Sequence, residues 1–153
     1  MAETTEGFDI NQRFALVAVD DETRKAAVTD ALQGLGFRVH VAASTDEGHD
    51  RLRKTAYEVV AIDQAFQGGT ALDHPLLQQL QMMSAATRRY MFLALLASDV
   101  KTLDNMGAFA ASVNAVINYN DLAQAKAIFE RGIAENDQFF RVFRTVLQEA
   151  GKR

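Results

Sequence analysis

The segment "FALVAVDDETRKAAVTDALQGLGF", Phe14 to Phe37, is an apolar run that ends on two adjacent aspartates and passes at once into a helical pattern. After Asp20 and Asp21, Val28, Ala31, Leu32 and Leu35 recur at helical spacing and give one apolar face. Arg24, Lys25 and Asp30 look outward, and Gly34 and Gly36 stop the helix. The folded part of the chain therefore opens with a strand and a helix, and it sets two like charges side by side at the strand's carboxyl end. Such charges repel unless a cation joins them, and a divalent metal is the simplest candidate.

Outward from this unit, "FRVHVA", "EVVAI", "YMFLALLA" and "NAVIN" are further β-prone runs separated by longer stretches of helical spacing. With "RFALVAV" they make five βα units, the alternation expected of a parallel sheet covered by helices. Near-continuous apolarity in the first, third and fourth runs suits strands buried on both faces, and the more alternating second run suits an edge. "STDE" gives Ser44 and Glu47 capping-box spacing, so a second helix should start near Ser44. Pro75 suits the first turn of a third helix, and a fourth should cover Val100 to Val113. From Asp121 the pattern is helical almost to the end. The expectation is an α/β protein with residues 13–130 as one domain, 131–153 as a helical extension and 1–12 as a flexible start.

At 153 residues the chain suits one domain with a core of its own, and 48% hydrophobic with 24% charged residues describes a globular protein. A formal charge of -4 argues against nucleic acid and anionic membrane as partners, since both reward a basic face. With no cysteine, the sequence has neither a disulfide framework nor thiolate metal sites; with its acidic start, "MAETTEGFDINQR", this fits a cytoplasmic chain. No apolar run approaches the roughly 20 residues of a membrane span.

Asp63 follows the third run as Asp20 and Asp21 follow the first. Ligands of an open parallel sheet bind outside the carboxyl ends of its strands, so these three carboxylates can converge on one pocket. An all-oxygen cluster of this kind suits Mg2+ beside a phosphate. Taken singly, each aspartate is accounted for as a helix cap; taken together in a five-unit order, they make a shared pocket.

At these residues the chain resembles the receiver domain of bacterial two-component response regulators, the family of the chemotaxis regulator, over about Phe14 to Phe129. The resemblance rests on "VAVDDE", "GLGFRV", "EVVAID" and the order and spacing of the βα units. It implies a flavodoxin-like (βα)5 doubly wound parallel sheet, here with an extended C-terminal helix. It also implies signal transduction through a phosphorelay, with Asp63 as the phospho-acceptor position and a histidine kinase as the donor. Asp20 and Asp21 would be the acidic pair that binds Mg2+ together with Asp63 and the carbonyl of Ala65.

The remainder of the family pattern is missing. Leu96 stands at the threonine or serine position, Asn118 and Tyr119 at the lysine and its usual cis-proline, and Ala115 at the switch aromatic, and "QAFQGG" lacks a proline. Charge-assisted bonds to a phosphoryl group are worth roughly 1.5 to 3 kcal/mol each. Losing the hydroxyl and ammonium partners thus removes about 3 to 6 kcal/mol, comparable with the roughly 5.5 kcal/mol that reverses a two-state switch. The sequence therefore favours a degenerate, non-catalytic pseudo-receiver with weak Mg2+ binding that acts through a protein partner or self-association. An authentic phospho-acceptor receiver is the first alternative, and a small-molecule binder using the switch-point crevice is the second.

His40, His49 and His74 share no metal-ligand spacing and read as surface or packing residues. Gly68 and Gly69 read as a turn, and Met82 and Met83 as core fillers. The C-terminal segment carries a stripe of apolar or small residues through Leu122, Ala125, Phe129, Gly132, Phe140, Phe143 and Leu147, with Asn136 its one polar member. Either one helix runs from about Asp121 to Ala150, or the chain breaks between Glu135 and Asp137 and folds back as a sixth helix. In the first case Phe139, Phe140, Phe143 and Leu147 form an interaction surface, and a dimer is expected.

Overall fold

The computed structural model describes residues 12–151, so all but the last residue of the expected flexible start, 1–12, lies outside the described residues. Strands β1 (Phe14–Ala18), β2 (Arg38–Val41), β3 (Val59–Asp63), β4 (Phe92–Ala97) and β5 (Ala115–Asn118) form one sheet in the order β2-β1-β3-β4-β5. Every neighbouring pair is parallel. The covering helices are α1 (Glu22–Gly34), α2 (Thr45–Lys54), α3 (Pro75–Gln81), the one-turn α4 (Ala85–Arg88), α5 (Asn105–Ala110) and α6 (Ala125–Glu149). This is the flavodoxin-like doubly wound sheet with an extended last helix. No helix among the described residues is long and apolar enough to cross a membrane.

Alternation along β1 divides the core in two. Ala15 and Val17 pack with Leu32 of α1 and Phe129 of α6, whereas Leu16 and Ala18 pack with Leu76 and Leu80 of α3. β3 and β4 are buried along their whole length, as their unbroken apolarity requires, and half-buried β2 lies at an edge. Ser44 caps α2, its Oγ accepting from the Glu47 N–H at 3.1 Å, and Pro75 is the first residue of α3.

Two expectations change, and one open alternative closes. α5 is shorter than Val100 to Val113, because the Leu103 N–H donates to the Val116 carbonyl at 2.8 Å and draws that stretch into a loop. Leu103 and Ser112 take positive φ angles of 62° and 57°, outside helical space, and Asp104 caps the six residues between the two turns. Met82 lies beyond the end of α3 and is exposed, and Met83 alone of the pair packs against the core. Of the two readings of the C-terminus the single helix holds: α6 is continuous, and Asp137 sits inside it, accepting from Arg141 at 3.0 Å and Arg144 at 3.1 Å instead of capping a new helix.

The first half of α6 closes one side of the sheet through Ala125, Phe129 and Gly132. A Cβ on Gly132 would lie 2.8 Å from Cζ of Phe92, so only glycine permits this approach. The second half runs past the amino end of β4, where Arg89 covers the Phe143 ring at 5.1 Å and Arg144 covers the Tyr90 ring at 5.2 Å.

Candidate functional site

Strand order reverses between β1 and β3, and the aspartates stand at the carboxyl ends of these two neighbours. Asp63 ends β3 and is 1% exposed. A carboxylate so buried requires partners for both oxygens. Oδ2 accepts from Arg24 Nε at 3.0 Å, and Oδ1 accepts from the Ala65 N–H at 3.0 Å and from the Tyr119 hydroxyl.

Arg24 is held in place from three directions. Its backbone N–H donates at 2.9 Å to Oδ2 of Asp21, the N-cap of α1, and its guanidinium lies 3.9 Å from the centre of the Tyr119 ring. Nη1 stands 4.0 Å from Asp21 Oδ2. Helical spacing placed this side chain outward, but it bends over the strand ends into the pocket because a buried carboxylate lies within reach. Asp20 turns elsewhere: its Oδ2 accepts from the Gln67 N–H at 2.7 Å, and both its oxygens accept from Gln67 Nε2 at 3.2 Å. Gln67 adopts a φ of 55°, a conformation unusual for a residue with a side chain. The carbonyl of Ala65 accepts from the Gly68 N–H at 3.1 Å.

The charges reinforce one another. Burial first, then the hydrogen bond and charge of Asp63, push the Tyr119 hydroxyl up to about 12. Partial burial pulls the Arg24 guanidinium down, but the charge and hydrogen bond of Asp63, helped by Tyr119 and Asp21, outweigh it and leave the group above its ordinary value.

The degenerate switch positions contribute no polar group to the Asp63 carboxylate, apart from Tyr119. Leu96 is the register partner of Asp63 and is fully buried, with no side-chain donor. Asn118 Nδ2 donates to the carbonyls of Ser98 at 3.2 Å and Val100 at 2.8 Å, pinning the loop after β4. Ala115 is buried beside Ala94. His74, also buried, donates from Nε2 to the Asp63 carbonyl at 2.9 Å and accepts at Nδ1 from the Leu77 N–H at 3.2 Å. It fixes the β3 end to the start of α3 in one neutral tautomer. Sequence reasoning missed the roles of Arg24, Gln67 and His74. Only Arg24 left a signal, because three residues beyond an N-cap aspartate lies the first turn of the helix.

No protein-family model matches the chain, and no curated protein matches it. Solved structures do. The receiver domain of a sensor histidine kinase from Pseudomonas aeruginosa PAO1, with a magnesium ion coordinated in its active-site cleft, is 16% identical, with 80% of this chain and 98% of that chain covered and a TM-score of 0.59. The chemotaxis response regulator CheY4 of Vibrio cholerae is 16% identical, with 80% and 99% covered and a TM-score of 0.57. NtrX from Brucella abortus is 16% identical, with 88% of this chain but 29% of that chain covered, at a TM-score of 0.66. The chain has the receiver-domain fold.

In a receiver fold the three carboxylates offer the oxygen donors that Mg2+ takes. Their arrangement here is another matter. No group of three or more histidine, aspartate or glutamate side chains among the described residues is placed to hold a metal ion. Asp20 is committed to Gln67, and the Arg24 guanidinium stands between Asp21 and Asp63. A cation that approaches Asp63 Oδ2 meets the Arg24 guanidinium already bonded there.

Proposed function

We propose that the chain is a receiver-like signalling module that works through protein–protein contact, in the cytoplasm, with Asp63 serving structure in place of phosphoryl transfer. The observation that carries this reading is the full engagement of Asp63 by Arg24, Tyr119 and the Ala65 N–H. Phosphorylation would break a partly buried ion pair and a hydroxyl bond, and Leu96 and Asn118 offer nothing in return.

The contact surface in this reading is the distal half of α6. Phe139, Val142, Phe143 and Val146 are 68%, 65%, 42% and 56% exposed. At helical spacing they fall within about 100° of arc, one face of the helix. Phe140 and Leu147 are half-buried. The occupant is a second copy of the chain. One patch serves both sides of a two-fold contact. Arg141 and Arg144 share the one carboxylate of Asp137, which offsets one of their two charges.

Two measurements test the reading. Acetyl phosphate with Mg2+ should leave no lasting adduct by intact mass and no amide shifts at Leu96 or Asn118; stable labelling of Asp63 with large shifts there restores the phospho-acceptor reading. Sedimentation of the full chain should show a dimer that Phe139→Ser with Phe143→Ser converts to a monomer. A full chain that stays monomeric at high concentration rules out the second copy as occupant.

A further inference from the structure

The acidic end of the sheet needs positive charge, and the chain supplies it. Arg24 Nε lies 3.0 Å from Asp63 Oδ2, its Nη1 lies 4.0 Å from Asp21 Oδ2, and its plane covers the Tyr119 ring at 3.9 Å. Tyr119 in turn bonds the same carboxylate. Arg24, Asp63 and Tyr119 thus form a closed triangle in which each member touches the other two. A divalent ion about 2.0 to 2.1 Å from Asp63 Oδ2 would stand beside a guanidinium bonded to the same oxygen, and the two cations repel each other. Asp20 turns away to Gln67, which it engages through three hydrogen bonds.

We propose that Arg24 is the resident cation of the pocket: it stands in for the divalent ion at Asp21 and Asp63, and a pocket stripped of its guanidinium becomes an oxygen-ligated site for Mg2+ or Mn2+. On this proposal the native chain binds such ions weakly because a tethered group competes with them for the same oxygens. An ion that does enter expels Arg24 from its stack on Tyr119, the first residue of the 3-10 turn Tyr119–Gln124 that follows β5, so metal binding and the conformation of that turn are linked. The inference holds whether or not Asp63 accepts a phosphoryl group and whatever covers α6.

The test compares the full chain with Arg24→Ala and Arg24→Gln. Each is titrated with MgCl2 by amide NMR and with MnCl2 by paramagnetic broadening, and its melting temperature is followed. Both variants should bind about tenfold or more tightly than the native chain. Shifts should centre on Asp20, Asp21 and Asp63, and added Mg2+ should raise the variants' melting temperatures more than the native one. Adding Asp63→Asn should abolish the gain. If a variant is unfolded without metal, Mg2+ should restore its fold. Folded variants that bind no more tightly than the native chain, or unfolded ones that Mg2+ does not rescue, overturn the proposal. So does a gain in Arg24→Ala that Arg24→Gln lacks, since bulk and not charge would then be the obstacle.

Discussion

At the acidic pocket the polar groups have found their partners inside the chain, whereas on the outer face of distal α6 the large apolar side chains meet solvent. Asp63 is saturated by Arg24, Tyr119 and Ala65, while Phe139, Val142 and Val146 are each more than half exposed. A saturated site gains little from a ligand, because each new bond replaces one already made. An exposed apolar face gains about 25 cal/mol for each Å2 covered. The proposed contact surface thus lies at the end of the sheet opposite the one where a doubly wound fold ordinarily holds its ligand.

The sharpest way to break this comparison uses the two halves of α6. Phe129→Ala should cost about 3 to 5 kcal/mol in urea unfolding, since the ring is fully buried and packs edge-on to Phe92 at 6.4 Å. Phe143→Ser on the same helix should cost less than about 1 kcal/mol in the monomer. Equal losses would mean that the distal half is packed as tightly as the proximal half, and the contrast would fail.

A smaller effect sharpens the pocket side. The Tyr119 hydroxyl is raised to about 12 in the folded chain, against about 10 for a free tyrosine. A raised group is held protonated by the fold, so its stabilisation is complete below about pH 10 and is lost as pH climbs towards 12. The loss is at most roughly 2 kcal/mol, given partial exposure of the ring. Melting temperatures from pH 9 to 12 should therefore fall more steeply for the native chain than for Tyr119→Phe. Parallel curves would show that the bond to Asp63 contributes nothing.

How far the sequence revealed this molecule depended on whether a feature repeats. The five strands were legible because burial on both faces forces unbroken apolar runs such as "EVVAI", and the edge position of β2 followed from its alternation. The three aspartates were legible because strand ends are where the fold gathers charge. Arg24 was read as outward because helical periodicity says which face a residue occupies, not whether a long side chain bends over the helix end to a buried carboxylate. Gln67 left no mark, since its left-handed conformation arises in a loop where no pattern operates. The α6 stripe predicted Phe140 and Leu147 alongside Phe139 and Phe143. The structure half-buries the first two and exposes Val142 and Val146, because Arg144 and Phe143 engage the Tyr90 and Arg89 that precede β4. Such a rotation depends on a contact between distant segments.

The close seating of Gly132 against Phe92 also orders events in time. Synthesis runs from the amino terminus, and the side of the sheet that carries Phe92 stays open until Ala125, Phe129 and Gly132 have been made. The residues of the outer face emerge just after them. In the dimer proposed above, the residues that close the core therefore precede in the chain those that pair the copies, so a chain too short to fold would also lack the surface with which to pair.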